Sequence, residues 1–116
     1  MKKYDIVVVQ LSQTKGAEKK GVRPAVVIQN NRTNASHINT AVIIPFTTTD
    51  RQVYLTIPVK KSKENGLAQD STLELAQVRV VDLTRILKTL GVLDQKYRFE
   101  LRQQLMDFLD IDDEFE

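Results

Sequence analysis

The chain has 116 residues, 41% hydrophobic and 28% charged, which suits one domain that buries roughly two thirds of its unfolded surface without staples. It has no cysteine, so disulfides, cysteine-bound zinc, iron–sulfur clusters and a cysteine nucleophile are excluded. Its 17 Lys and Arg against 15 Asp and Glu give +2, yet residues 1–63 carry +8 and residues 64–116 carry −6, so the first half is expected to meet a polyanion.

In chain order, Ile6–Leu11 is short and β-branched, with Val7, Val9 and Leu11 on one side, and reads as a strand. Arg23–Gln29 is a second, its Pro24 lacking an amide donor and so suited to a strand start or edge. Thr40–Phe46 is a third, closed by Pro45, and Val53–Val59 a fourth, with Val53, Leu55, Ile57 and Val59 facing one way. Thr72–Leu75, running on towards Val78–Val81, completes five or six strands. No helix-length crossover separates them, so a small antiparallel barrel is expected rather than a βαβ fold. The connections Ser12–Val22, Asn30–Asn39 and Lys60–Asp70 are polar and long, the places where a small rigid scaffold carries its binding chemistry.

One helix is expected, Gln95–Leu109, with Asp94 as N-cap. Tyr97, Leu101, Leu105, Phe108 and Leu109 form its apolar face, best read as core packing. One domain over 1–116 is expected, its acidic end at 110–116 able to fray. No apolar run approaches the ~18 residues of a membrane span, and Met1-Lys2-Lys3 precedes Asp5 rather than a long apolar stretch. Neither a span nor a signal peptide is expected, and the compartment is read as cytoplasm.

Metal chemistry finds few ligands. His37 is the sole histidine and sits among asparagines, and Asp110, Asp112, Asp113 and Glu114 lack the glycine turn of a calcium loop. No metal or cofactor is expected. Thr14-Lys15-Gly16 and Lys19-Lys20-Gly21 are not completed into a phosphate loop, and no crossover helix follows. What remains is Arg23 at one strand start and Thr47-Thr48-Thr49 at another strand end. A guanidinium and a hydroxyl so placed can grip one phosphate.

The run G-x-E-x-x-G-x-R-P-x-x-V-x-Q-N at residues 16–30, Pro45-Phe46-Thr47-Thr48 and Gln77-Val78-Arg79 resemble, in order and spacing, the MazF/PemK family of toxins from type II toxin–antitoxin pairs. The likeness extends from about Tyr4 to Leu109. It implies a small SH3-like β-barrel with a C-terminal helix, assembled as a homodimer. It also implies metal-independent cleavage of single-stranded RNA to 2′,3′-cyclic phosphate and 5′-hydroxyl ends. By the same likeness Arg23 is the catalytic arginine and Thr47 the catalytic threonine, with Thr48 beside it. Glu18, Gln77, Arg79 and Asp82 are further candidates for catalysis or RNA binding. Lys15, Lys19, Lys20 and Asn30 are candidate RNA contacts, and Phe46 and Tyr54 candidate base-stacking aromatics.

Two positions depart from the pattern. Tyr4 stands where a glycine is usual, a change expected to be harmless at a strand start, and Ala17 where some members have a histidine. Without an imidazole the weight falls on Arg23 and Thr47, and because Arg is a poor general base its role is charge stabilisation or proton donation, with Glu18 or Asp82 as a conceivable base. The likeness also implies an antitoxin with an acidic, disordered segment that competes with RNA. Two alternatives stand beside this reading: a toxin on the same fold that binds a protein such as gyrase, and an inactive RNA- or antitoxin-binding module.

Overall fold

The computed structural model describes residues 1–11, 16, 21–49 and 54–111. Strands β1 (Asp5–Leu11), β2 (Gly21–Val27), β3 (Thr40–Thr47), β4 (Thr56–Val59), β5 (Ser71–Glu74), β6 (Arg79–Asp82) and β7 (Ile86–Val92) form one sheet. Their order is β4-β5-β3-β2-β1-β7, with β6 also on β3, and every pairing is antiparallel. Helix α1 (Asn31–Asn34) lies between β2 and β3, and α2 (Gln95–Phe108) follows β7. The mainly β class is as expected, but β4 and β7 end the ladder without pairing to each other, so the barrel is a curled sheet that does not close.

Curling buries both faces, and the two-residue period sorts the side chains between them. Val7, Val9, Leu11, Ala25, Val27, Ala41 and Ile43 form one core with Val81. Ile6, Val26, Ile44, Phe46, Leu73 and Leu101 belong to the other, which α2 covers. The three buried members of the first set on β1 are the ones the alternation places together.

Strand β3 is the hinge of the sheet. One edge pairs with β2, while the other pairs with β6 through Thr40–Ile43 and with β5 from Phe46 on. Pro45 stands between those two partners. The Ile28 amide donates to Val42 (3.0 Å), so even-numbered residues of β3 point their amide groups at β2 and residue 45 points the other way, into that gap. A proline therefore continues the strand here rather than closing it as the sequence suggests.

Three elements differ from expectation. Ile86–Val92 is a full strand, not foreseen because Leu87 and Lys88 face solvent and Gly91 interrupts the run. The fourth strand begins at Thr56, after Leu55 with φ 65° in the left-handed region; Val53 lies outside the described residues. Asp94 precedes α2 but makes no side-chain cap, because its carboxylate is bonded elsewhere. Of the helix stripe, Leu101 is buried and Tyr97 and Leu105 pack on the core, whereas Phe108 and Leu109 are partly exposed.

Tyr4 also differs from expectation. Its φ of 74° is a conformation that glycine adopts without strain, so the change from glycine carries a local backbone cost of order 1 kcal/mol. The ring recovers part of it by lying against Lys3 and Arg98, 5.2 and 4.7 Å from its centroid.

Candidate functional site

Arg23 and Thr47 meet at one groove of about 460 Å³, with Thr48 and Thr49 continuing its wall. Arg23 is the second residue after β2 opens, and its Nη1 donates to the Phe46 carbonyl at 3.1 Å. That bond brings the guanidinium across to the end of β3, beside Thr47. Thr47 is 7% exposed, and its Oγ1 accepts the Thr49 amide at 3.3 Å, which leaves its O–H to donate. Arg23 is the only charged side chain among the described residues that line the groove. A single fixed cation beside hydroxyl donors is a site for one phosphate.

The opposite wall is Leu67, Ala68 and Gln69, from the Lys60–Asp70 connection expected to carry binding chemistry, with Ser71 at the start of β5; the sequence did not single out these residues. This connection is pinned from below. Asn65 is fully buried; its Nδ2 donates to the Lys60 carbonyl (2.9 Å) and to Asp94 Oδ1 (2.7 Å), and its Oδ1 accepts the Ser62 and Leu67 amides (both 3.0 Å). Ser62 Oγ donates to Asp94 Oδ2 at 2.7 Å. Burial pushes the Asp94 carboxyl up, but the bonds from Ser62 and Asn65, its own backbone amide and the nearby Lys96 outweigh that and hold it below the usual carboxylate range. The loop also presses on β7: a Cβ on Gly66 would sit 2.3 Å from the Leu90 carbonyl oxygen, and one on Gly91 2.3 Å from that of Glu64. The dipeptide Asn65-Gly66 was the sequence signal for this turn.

The other candidates lie elsewhere. Lys15, Glu18, Lys19 and Lys20 fall outside the described residues, as does Ala17. Asn30 caps α1 by accepting the Thr33 amide (2.8 Å) and is not in the groove wall. Asn31 and Asn34 are similarly engaged, with Lys3 and Gln29. Gln77 and Arg79 line a separate recess with Val80, where Nη1 of Arg79 is buried without a hydrogen-bond partner among the described residues. Asp82 is exposed; bonds from the Thr84 amide (2.9 Å) and hydroxyl (2.8 Å) hold its carboxyl below the usual range, which weakens it as a base. Phe46 is 1% exposed and belongs to the core, so no face is offered for stacking. Tyr54 is exposed but its hydroxyl lies 3.5 Å from Asp107 on α2, away from the groove wall. His37 is exposed, and among the described residues no three His, Cys, Asp or Glu side chains converge as metal ligands.

Residues 2–109 match the family model described as PemK-like, MazF-like toxin of type II toxin–antitoxin system. The chain is 32% identical over 97 residues to the endoribonuclease EndoA of Bacillus subtilis, covering 83% of each. It is 29% identical to the endoribonuclease MazF of Staphylococcus saprophyticus, over 90% of this chain and 88% of that one. In fold it resembles MazF from Deinococcus radiodurans, with TM-score 0.82 at 17% identity over 96% of this chain and 97% of that one. It also resembles a mycobacterial endoribonuclease solved with its cognate antitoxin, with TM-score 0.78 at 16% identity over 97% of each. No helix among the described residues is long and apolar enough to cross a membrane.

Proposed function

This chain belongs to the PemK/MazF toxin family, and we propose that it is an endoribonuclease, the toxin of a toxin–antitoxin pair, cleaving single-stranded RNA in the cytoplasm as a homodimer. The observation that carries this reading is the meeting of Arg23 and Thr47 at one groove wall.

RNA brings its own nucleophile, the 2′-hydroxyl, so the protein has only to align it with the adjacent phosphorus and manage charge and protons. The Arg23 guanidinium, held on the Phe46 carbonyl, faces the nonbridging oxygens and stabilises the charge that builds on them in the transition state. Thr47, already accepting from Thr49, donates its O–H to the same phosphate. The 2′-hydroxyl gives its proton to water as its oxygen attacks phosphorus, the bond to the 5′-oxygen breaks, and that oxygen takes up a proton from the Arg23 side, where solvent restores it. The products are a 2′,3′-cyclic phosphate and a 5′-hydroxyl. Arg23 carries protons that serve the leaving oxygen, and no metal is required by this scheme.

The positive first half draws RNA in, and the same field draws an acidic antitoxin segment to the same groove. RNA and antitoxin then exclude one another. The test is incubation of the pure protein with a long unstructured RNA in EDTA, with end analysis of the fragments. Cyclic-phosphate and 5′-hydroxyl ends support the reading; intact RNA rejects it.

A further inference from the structure

Pro24 lines the groove beside Arg23 without any group that reacts. Its place in the sheet gives it a task. In the β2–β3 ladder Val26 lies opposite Ile44, and the Ile28 amide donates to the Val42 carbonyl. Residues 28 and 26 therefore turn their amide groups towards β3, and the next residue of β2 to do so is 24. The register places it across from Phe46. An ordinary residue at 24 would donate its N–H to the Phe46 carbonyl, but a proline has none. Phe46 is 1% exposed, so water does not reach that carbonyl readily, and a buried acceptor left empty is unfavourable. The donor that fills the gap is Nη1 of Arg23, at 3.1 Å.

We propose that Pro24 is a positioning residue for Arg23: by withholding a backbone N–H it reserves the Phe46 carbonyl for the guanidinium and so fixes that group in the groove. This rests on the reading of Arg23 as the charge-stabilising side chain. The Arg-Pro order matters, because the residue that lacks the donor must adjoin the one that supplies it. With an N–H at 24 the ladder extends by one bond, and the guanidinium must share the Phe46 carbonyl with a straighter backbone donor, which weakens its hold there. It then samples rotamers in which the charge stands away from the reacting phosphate. Misplacement of about 1 Å at such a group costs up to ~100-fold in rate.

The experiment compares wild type, Pro24→Ala and a semisynthetic chain with an ester in place of the 23–24 amide, carrying alanine's side chain at 24. The ester lacks the N–H but also lacks the ring. Cleavage of a mixed-sequence single-stranded RNA is followed in EDTA. Pro24→Ala is expected to lower kcat roughly 10- to 100-fold while KM shifts less than about threefold, because the lost contact belongs to the transition state. The ester is expected to recover most of that loss. Independently of activity, nitrogen NMR of Arg23 is expected to show hindered rotation of its guanidinium in wild type and ester, and free rotation in Pro24→Ala. Wild-type kcat in Pro24→Ala, or an ester no better than alanine, overturns the proposal. If wild type itself leaves RNA intact, the function above is what fails. The NMR comparison still decides the positioning claim, and equal guanidinium dynamics in all three chains rejects it.

Discussion

At the junction beneath the Lys60–Asp70 loop, Asn65 spends both amide hydrogens and both acceptor positions on its own chain, and Ser62 and Asp94 close the network around it. At the groove a few residues further on, Thr48, Thr49 and Gln69 are exposed, and Arg23 is the one charged side chain among the described residues of its wall. The two regions share a loop and use the same chemical groups in opposite ways. Where polar groups satisfy one another, they set shape; where they are left facing a cavity, they await a ligand. Substitutions at the junction are therefore expected to cost stability, and those in the groove to cost activity.

The sharpest separation comes from Arg23→Ala. Cleavage is expected to fall at least ~100-fold, while unfolding in urea shifts by about 1 to 2 kcal/mol, the cost of emptying the Phe46 carbonyl. Thr47→Ala should fall less, roughly tenfold, if its hydroxyl positions the phosphate. Near-normal cleavage by both variants removes the site. The reverse pattern is expected for Asn65→Ala, which strands buried donors and acceptors: a loss of about 3 kcal/mol of stability, with cleavage per folded molecule kept within about tenfold. A stable but inactive Asn65→Ala would merge the two regions into one.

Asp94 tests the junction by pH. Its carboxyl is held below the usual range in the folded chain, so its contribution is present above the ordinary value near 3.8 and is lost as pH falls through the depressed one. Wild type should lose stability more steeply than Asp94→Asn as pH falls below about 4, read from urea midpoints across pH. Parallel curves would detach Asp94 from the network. The smallest effect belongs to a third kind of polar group, the exposed cap. Asn30→Ala is expected to cost about 1 kcal/mol or less and to leave RNA affinity unchanged, measured by anisotropy in EDTA with a noncleavable RNA. A clear loss of affinity would return Asn30 to the binding surface.

The β-branched strands β1, β2 and β3 were legible, as were α2 to within a residue and the meeting of Arg23 with Thr47, whereas the alternation over Val53–Val59 overran the start of β4 at Thr56. Those signals are local, carried by side-chain period and by a motif. Strand β7 was not legible, because what makes Ile86–Val92 extended is its bulged pairing with β1, some eighty residues earlier in the chain. Likewise Asp94 reads as a cap, and only the fold reveals that Ser62 and Asn65 claim its oxygens first. The Lys60–Asp70 loop was read as a place for binding chemistry, but nothing near Leu67 in sequence says that it faces Arg23. Tyr4 was read as harmless because a backbone angle is invisible in a residue's identity.

The place of β1 in the sheet bears on when this molecule becomes a toxin. Of the seven strands described, β1 is made before the others and lies between β2 and β7, and β7 is made after the others. Until Val92 emerges, one edge of β1 has no partner, and the loop that walls the groove has no β7 to rest on. At about 5–20 residues per second, that is roughly 4 to 16 s after Leu11 is joined. A truncated or stalled chain thus holds Arg23 and Thr47 yet lacks the frame that faces them across a groove. Translation cut short before Val92 therefore leaves unfinished copies without a working site.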